Sequence, residues 1–173
     1  FYPDARLRVA GGVSLNNAGL KNRLKQKNYQ RYLAELIEKY SLAGCVEFLP
    51  PLKADEMKKM YLKSNVFVSP SSIENSPNSL GEAMMLGVPC VSSLVGGVGN
   101  MLINGAEGFT YQHDAPYMLA YYVMEIFRLQ KENRQQLADM TDMAHSHAMR
   151  LFDSEKNAAN MLEIYSGIER IKR

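Results

Sequence analysis

Glu74 and Glu82 stand eight positions apart on either side of Ser76-Pro77, and the residues around them give the pair its meaning. An apolar run, Val66-Phe67-Val68, stops in a loop of serine and proline that contains Glu74, and a helical pattern then runs to Gly87. Ser76-Pro77 reads as a helix start, a hydroxyl N-cap followed by proline at the first helical position. The backbone N–H groups of Asn78 and Ser79 would then have no intrahelical acceptor. Together with the positive end of the helix dipole they form a place for a phosphate that needs no lysine. Leu80, Ala83, Met84 and Gly87 fall toward a sheet, whereas Asn78, Ser79 and Glu82 share another face. A carboxylate one turn from the phosphate end can accept two hydrogen bonds from a ribose diol. Glu74, in the loop at the strand's carboxyl edge, is placed to bond the hydroxyls of a sugar beyond the phosphates. Taken as a bare pair, the two glutamates are equally what an exposed loop and an exposed helix face carry.

The elements that must position this segment alternate. Leu7 to Ala10 is a strand candidate running into Gly11-Gly12. From about Tyr29 to Tyr40 a helix places Tyr29, Leu33, Leu36, Ile37 and Tyr40 on one face. Gly44 turns the chain into the strand Cys45 to Phe48, which Pro50-Pro51 breaks. Lys53 to Ser64 is a helix with Met57, Met60 and Tyr61 inward and Asp55 and Glu56 in its first turn. Strand 66–68, helix 77–87, strand 88–92, the glycines at 96, 97 and 99 and a short strand near Gly108 to Tyr111 follow. After Pro116 the pattern is helical to the end. Leu119, Val123, Ile126 and Phe127 form one stripe, and Leu137, Met140, Ala144 and Ala148 a second. Phe152, Ala158, Met161, Leu162 and Tyr165 mark a last helix capped by Asp153 or Ser154. Strands alternating with helices predict an α/β fold, a doubly wound parallel sheet with helices on both faces, followed by a helical C-terminal segment. In such sheets ligands bind at the carboxyl ends of the strands. The 173 residues are expected to form one domain.

Composition narrows the function classes. Apolar residues make up 46% and charged residues 22%, as in a globular protein, and the net charge of +2 gives no case for a nucleic-acid partner. No stretch approaches the ~20 apolar residues of a membrane span. No secretion signal opens the chain, and its first residue is Phe1 and not Met, so it is expected to be part of a longer protein. Cys45 and Cys90 lie beside predicted strands and read as buried free thiols. No clustered Cys and His suggest a metal site. His145 and His147, two apart in a helical stretch, point to different faces and read as surface residues. Lys21, Arg23, Lys25 and Lys27 make the segment from Asn16 to Asn28 basic. That segment is either a solvated loop or helix face or a contact for an anionic ligand or lipid surface.

The stretch from Ser69 to Val91 resembles the donor-binding signature of retaining glycosyltransferases with the two-domain GT-B fold, especially glycosyltransferase family 4. The family pattern is a strand, Pro-Ser, Glu, seven residues, Glu-Ala-Met and a Gly-x-Pro turn. Here it reads Pro70-Ser71, Glu74, Glu82-Ala83-Met84 and Gly87-Val88-Pro89. Val46-Glu47-Phe48, Gly96-Gly97-Val98 and the run from Asn104-Gly105 to Gly108-Phe109 extend the likeness. It spans Leu7 to about Tyr117 and implies the C-terminal, nucleotide-sugar-binding half of a GT-B fold, itself Rossmann-like. By that resemblance Glu82 would hold the ribose and Glu74 would act on the donor sugar as the catalytic residue. Asn75, Ser76, Asn78 and Ser79 would line the sugar and phosphate pocket. Phe48 would lie near the base. Gly96 and Gly97 would let the backbone approach the sugar or cross toward a partner domain.

The implied reaction moves a sugar from a nucleoside-diphosphate donor, such as a UDP- or GDP-sugar, to an acceptor hydroxyl with retention, with no metal cofactor. The implied partners are that nucleotide-sugar, a saccharide or lipid-linked saccharide acceptor as in polysaccharide biosynthesis, and an N-terminal domain of the same protein. The implied location is the cytoplasm or the inner face of its membrane. The family's diphosphate-binding Arg and Lys come from a strand and loop upstream of Phe1, so the 173 residues alone are expected to be inactive. The family's Glu after Gly-Gly is missing, since this chain reads Val98-Gly99-Asn100.

A dinucleotide dehydrogenase would need Gly-x-Gly-x-x-Gly after the first strand, and Ala10-Gly11-Gly12-Val13-Ser14-Leu15 lacks it. A phospho-receiver needs an aspartate at a central strand end, where this chain has Ser69-Pro70. A GT-B nucleotide-sugar epimerase and a degenerate, non-catalytic interaction domain remain as alternatives.

Overall fold

The computed structural model describes residues 2–11 and 28–171. The basic residues between Asn16 and Asn28, and Gly12, lie outside the described residues. The chain divides into two compact units, Phe1–Met57 and Lys58–Arg173.

In the first unit, β1 (Leu7–Ala10) pairs in parallel with β2 (Val46–Leu49), Leu7 opposite Val46 and Ala10 opposite Leu49. Helix α1 (Asn28–Lys39) lies between them in sequence. Leu33, Leu36 and Ile37 are half-buried as its period predicts. Tyr29 and Tyr40, expected on the same inward face, are exposed because they sit at the first turn and just past the last. The turn into β2 uses Ser41 at φ 54 rather than Gly44 as its left-handed residue. Helix α2 (Ala54–Leu62) is opened by Glu56, whose carboxylate accepts the Lys53 N–H at 2.9 Å. The boundary between the units falls within α2.

The second unit holds the site. β3 (Phe67–Ser69), β4 (Cys90–Ser93) and β5 (Phe109–Tyr111) form a parallel sheet in that order, with Val91 facing Val68 on one side and Phe109 on the other. The parallel pairing expected from alternation is present in both units. Among the described residues the strands form one sheet in each. All four residues of β4 are buried, as befits a parallel strand covered on both faces.

Helix α3 (Asn78–Met85) connects β3 to β4, and the short α4 (Val98–Met101) connects β4 to β5. Leu80, Ala83 and Met84 of α3 are fully buried. Helices α5 (Pro116–Glu132) and α6 (Arg134–Leu151) supply much of the remaining core, with Tyr61 of α2 and Val98 and Met101 of α4. Val91, Tyr111, Ile126, Leu129, Leu137 and Met140 form one cluster. The predicted stripe Leu137, Met140, Ala144 and Ala148 is buried along its whole length. Asn133 caps α6 by accepting the Gln136 N–H, and Asp153 caps α7 (Ser154–Ile171) by accepting the Lys156 N–H. The apolar residues Met161, Leu162 and Tyr165 of α7 are exposed, contrary to their helical pattern, because no described element packs over them.

α3 carries Asn78, Ser79 and Glu82 of the predicted site, so its packing sets their geometry. Leu80 has no exposed surface. Leu80→Ala should lower stability by about 2–5 kcal/mol, the cost of lost burial plus a cavity, read as a lower urea midpoint with an unchanged slope.

Candidate functional site

β3 ends at Ser69, and the chain leaves the carboxyl edge of the sheet as a loop, residues 70–77, before entering α3. The loop has no regular ladder, so its backbone must be held by neighbours. Three contacts hold it, all from the segment after β4 or from β4's own end. Ser93 Oγ donates to the Ser71 carbonyl at 2.6 Å. The Gly97 N–H donates to the Asn75 carbonyl at 2.6 Å. Ser76 Oγ lies 3.3 Å from the Met101 sulfur.

The Gly97 contact explains the paired glycines. Gly96 has φ 51, and a Cβ there would overlap the Glu74 carbonyl; a Cβ on Gly97 would sit 2.5 Å from the Asn75 oxygen. Only glycine lets two backbones meet this closely. The resemblance implied that these glycines let the backbone approach a sugar or cross toward a partner domain. The atoms they make room for are those of the Glu74–Asn75 peptide.

The helix start differs by one residue from expectation. Pro77 is itself the N-cap, with φ −70 and ψ 109, and no side chain caps the helix. The extended ψ of Pro77 keeps it out of the helix, and the Ser76 hydroxyl is directed to Met101 instead of to the helix N–H groups. The Pro77 carbonyl takes the N–H groups of Leu80 and Gly81, at 3.1 and 3.4 Å. The N–H groups of Asn78 and Ser79 come before any carbonyl the helix can offer them. No acidic residue occupies the first turn of α3 to neutralise its positive end.

Along α3 the faces sort as the spacing requires. Leu80, Ala83 and Met84 are buried, Asn78 and Glu82 are exposed, and Ser79 is half-buried. Gly87 is not on the buried face. It is exposed at φ 68 and ends the helix, its N–H donating to Met84 and that of Val88 to Ala83. These two bonds are the Schellman arrangement that favours glycine after a helix.

Glu82 has a partner that sequence reasoning missed. The Tyr61 hydroxyl lies 3.1 Å from Glu82 Oε2 and 3.3 Å from the Ser79 carbonyl. Tyr61 is only 3% exposed, and its ring meets Phe67 edge-on at 5.7 Å. Burial first, then the negative charge of Glu82 and the hydrogen bond to it, push the phenol far above its ordinary range, so it stays a donor. The available signal was the residue type: an inward tyrosine, unlike a phenylalanine, needs a polar partner.

Glu74 is half-buried, and its carboxylate has no hydrogen bond or ion pair among the described residues. Neither glutamate is paired with Lys or Arg among the described residues. Asn75 and Ser76 are exposed in the same loop. Glu74, Asn75, Ser76, Asn78, Ser79, Glu82, Gly96 and Gly97 are thus brought together at the carboxyl end of β3. Phe48 is half-buried in β2 of the first unit.

Both histidines read as surface residues have partners. His145 Nδ1 is 2.8 Å from the Met85 carbonyl at the end of α3. His147 is largely buried, with Nδ1 2.9 Å from Glu107 Oε2, which also accepts the Ile103 N–H. A separate open concavity of about 420 Å³, lined by Leu94, Asn104, Tyr111, Tyr117 and Tyr122 among others, contains none of the predicted site residues. Cys90 is buried and Cys45 half-buried, both free thiols.

With this geometry in hand, comparison with known proteins defines the class. The fold is that of the GT-B glycosyltransferases. The crystal structure of Anabaena Alr3699/HepE in complex with UDP superposes with a TM-score of 0.76 at 22% identity, covering 95% of this chain and 42% of that one. Sucrose-phosphate synthase from Thermosynechococcus elongatus gives 0.72 at 22% identity over 85% of this chain and 36% of that one. Residues 2–141 match the family described as Glycosyl transferases group 1, and the chain belongs to that family. It is 28% identical over 169 residues to a D-inositol 3-phosphate glycosyltransferase of Corynebacterium urealyticum, covering 96% of this chain and 37% of the relative. It is 32% identical over 108 residues to the putative colanic acid biosynthesis glycosyltransferase WcaL of Salmonella typhimurium, covering 58% of this chain and 26% of the relative. The chain therefore matches between about a quarter and a little over a third of the length of these relatives.

The glycine contact predicts its own test. Gly96→Ala would combine a left-handed backbone with an overlap against the Glu74 carbonyl. A loss of about 2 kcal/mol or more in stability is expected, with faster amide exchange confined to residues 70–77 and 94–97.

Proposed function

We propose that this chain is the C-terminal, donor-binding half of a family 4 retaining glycosyltransferase. It would transfer a hexose from a nucleoside diphosphate to an acceptor hydroxyl with the anomeric configuration kept. The observation that carries this reading is the placement of two carboxylates that meet no Lys or Arg among the described residues, Glu74 just before the N-terminus of α3 and Glu82 one turn into it.

The chemistry follows from that placement. When the bond between the anomeric carbon and the phosphate oxygen breaks, negative charge grows on the departing diphosphate. Amide N–H groups aimed at the place where charge develops stabilise it most. The N–H groups of Asn78 and Ser79 and the dipole of α3 are such groups. Glu82, four residues into the helix and so roughly 6 Å along its axis from Asn78, would take the ribose hydroxyls. Glu74, before the helix, would meet the sugar whose bond is exchanged. Asn75 and Ser76 lie between them in the chain and would complete the sugar pocket.

Gly96 and Gly97 act in this reading by fixing the Glu74–Asn75 backbone. Phe48 is assigned to the base by resemblance alone. UDP and UDP-glucose are bound in the solved structures of Anabaena Alr3699/HepE, which favours a nucleotide-sugar as the donor class. A saccharide or lipid-linked acceptor, an N-terminal acceptor domain, a metal-free reaction and a cytoplasmic site of action complete the proposal.

Two outcomes are expected for the full-length protein, once a panel of nucleotide-sugars read by thermal shift has found the donor. Glu82→Ala should raise the donor KM about 10- to 150-fold with kcat within about twofold, because ribose contacts are the same in ground and transition states. Glu74→Ala should chiefly lower kcat, because its partner changes charge and shape during transfer. Steady-state kinetics of both variants, left within twofold of the parent in KM and kcat, would refute the assignment. Secondly, excess EDTA should leave the transfer rate within about twofold, since the helix N-terminus supplies the charge that a divalent ion would otherwise supply; a loss above tenfold restored by Mg2+ or Mn2+ would contradict the metal-free reading.

A further inference from the structure

The buried Tyr61 hydroxyl has one proton and two acceptors. Glu82 Oε2 is the nearer, at 3.1 Å, and carries the charge; the Ser79 carbonyl, at 3.3 Å, is the fallback. Both acceptors belong to α3, Ser79 on the turn whose N–H groups would face the proposed diphosphate and Glu82 at the start of the next turn. Glu82 is otherwise an exposed side chain with three rotatable bonds, and its Oε1 has no hydrogen bond among the described residues. A glutamate in that state would adopt many rotamers, and a ligand would have to order it on binding.

We infer that Tyr61 is the positioning residue of Glu82. Its phenol O–H pins Oε2 against the helix and leaves Oε1 and the remaining lone pairs of Oε2 turned outward for a diol. The inference rests on the assignment of Glu82 to the ribose and adds what holds it there. The ring of Tyr61 is anchored independently by its burial and by Phe67, so the hydroxyl presents a fixed donor rather than following the carboxylate. The Ser79 carbonyl serves a second purpose. When Glu82 tightens on a ligand and its bond to the phenol lengthens, the buried O–H keeps an acceptor and incurs no penalty for being unpaired. Tyr61 touches no ligand in this arrangement and is not a catalytic residue.

The test is a double-mutant cycle in the full-length protein, with UDP, GDP and 2′-deoxy-UDP as probes and dissociation constants from calorimetry. The variants are Tyr61→Phe, Glu82→Ala and the double substitution. Tyr61→Phe keeps the ring that packs on Phe67. Tyr61→Met, which fills the space without a hydroxyl, serves as a second hydroxyl-free variant should the first fold poorly. The expected result is about a 3- to 12-fold weaker Kd for the ribonucleotide in either hydroxyl-free variant, a smaller change for 2′-deoxy-UDP, and no further weakening by Tyr61→Phe once Glu82 is alanine.

Equal weakening of UDP and 2′-deoxy-UDP, or the same factor in the Glu82→Ala background, would show that Tyr61 acts by packing and overturn the inference while leaving the ribose assignment standing. If Glu82→Ala itself left both ribonucleotide affinities unchanged, or neither bound the parent, the assignment of Glu82 and the inference would fall together.

Discussion

One backbone contact underlies the site: the Gly97 N–H bonded to the Asn75 carbonyl at 2.6 Å, with Gly96 at φ 51 closing over Glu74. The loop after β3 has no ladder partner and would otherwise be free to carry Glu74 anywhere. Bringing the turn after β4 onto it fixes Glu74 to the same sheet edge as the start of α3. The contact needs two residues without Cβ atoms, which is why Gly-Gly follows β4. Ser93 and Met101 add side-chain contacts from the same segment, so the loop is defined from one direction by three consecutive pieces of chain.

α3 is fixed from beneath. Leu80, Ala83 and Met84 bury one face, the Schellman bonds at Gly87 stop the helix where β4 must begin, and His145 bonds the Met85 carbonyl near that end. Glu82 then projects from a helix that cannot rotate without exposing its apolar face. The loop holds one carboxylate and the helix the other, and each is held by different physics: backbone close approach for Glu74, burial plus a phenol hydrogen bond for Glu82. This division suits the proposed donor, whose nucleoside would be held steadily while its sugar changes partners.

Much of this was legible in the sequence because it is local. The period of Leu80, Ala83 and Met84 defines a buried face, Pro77 and Gly87 mark the ends of the helix, and the apolar runs 66–68 and 88–91 announce the strands found at Phe67–Ser69 and Cys90–Ser93. The misses are local rules overruled by partners elsewhere. Ser76 looks like an N-cap, but its hydroxyl faces Met101, twenty-five positions on. Gly87 fits the buried stripe by spacing, yet its φ assigns it to the turn. His147 meets Glu107 across forty positions, and no spacing rule announces such a pair. Tyr61 was legible as an inward residue, whereas its acceptor twenty-one positions away was not. In α7 the pattern of Met161, Leu162 and Tyr165 gives a helix but cannot say what covers it.

The central claim is that a nucleoside diphosphate lies at the start of α3 with its ribose on Glu82. The most direct measurement is a crystal structure of the full-length protein with the nucleoside diphosphate it binds. The account predicts a phosphate oxygen within about 3 Å of the Asn78 or Ser79 N–H and both ribose hydroxyls on the Glu82 carboxylate. A nucleotide bound away from α3, or one whose ribose leaves Glu82 in solvent, would contradict it.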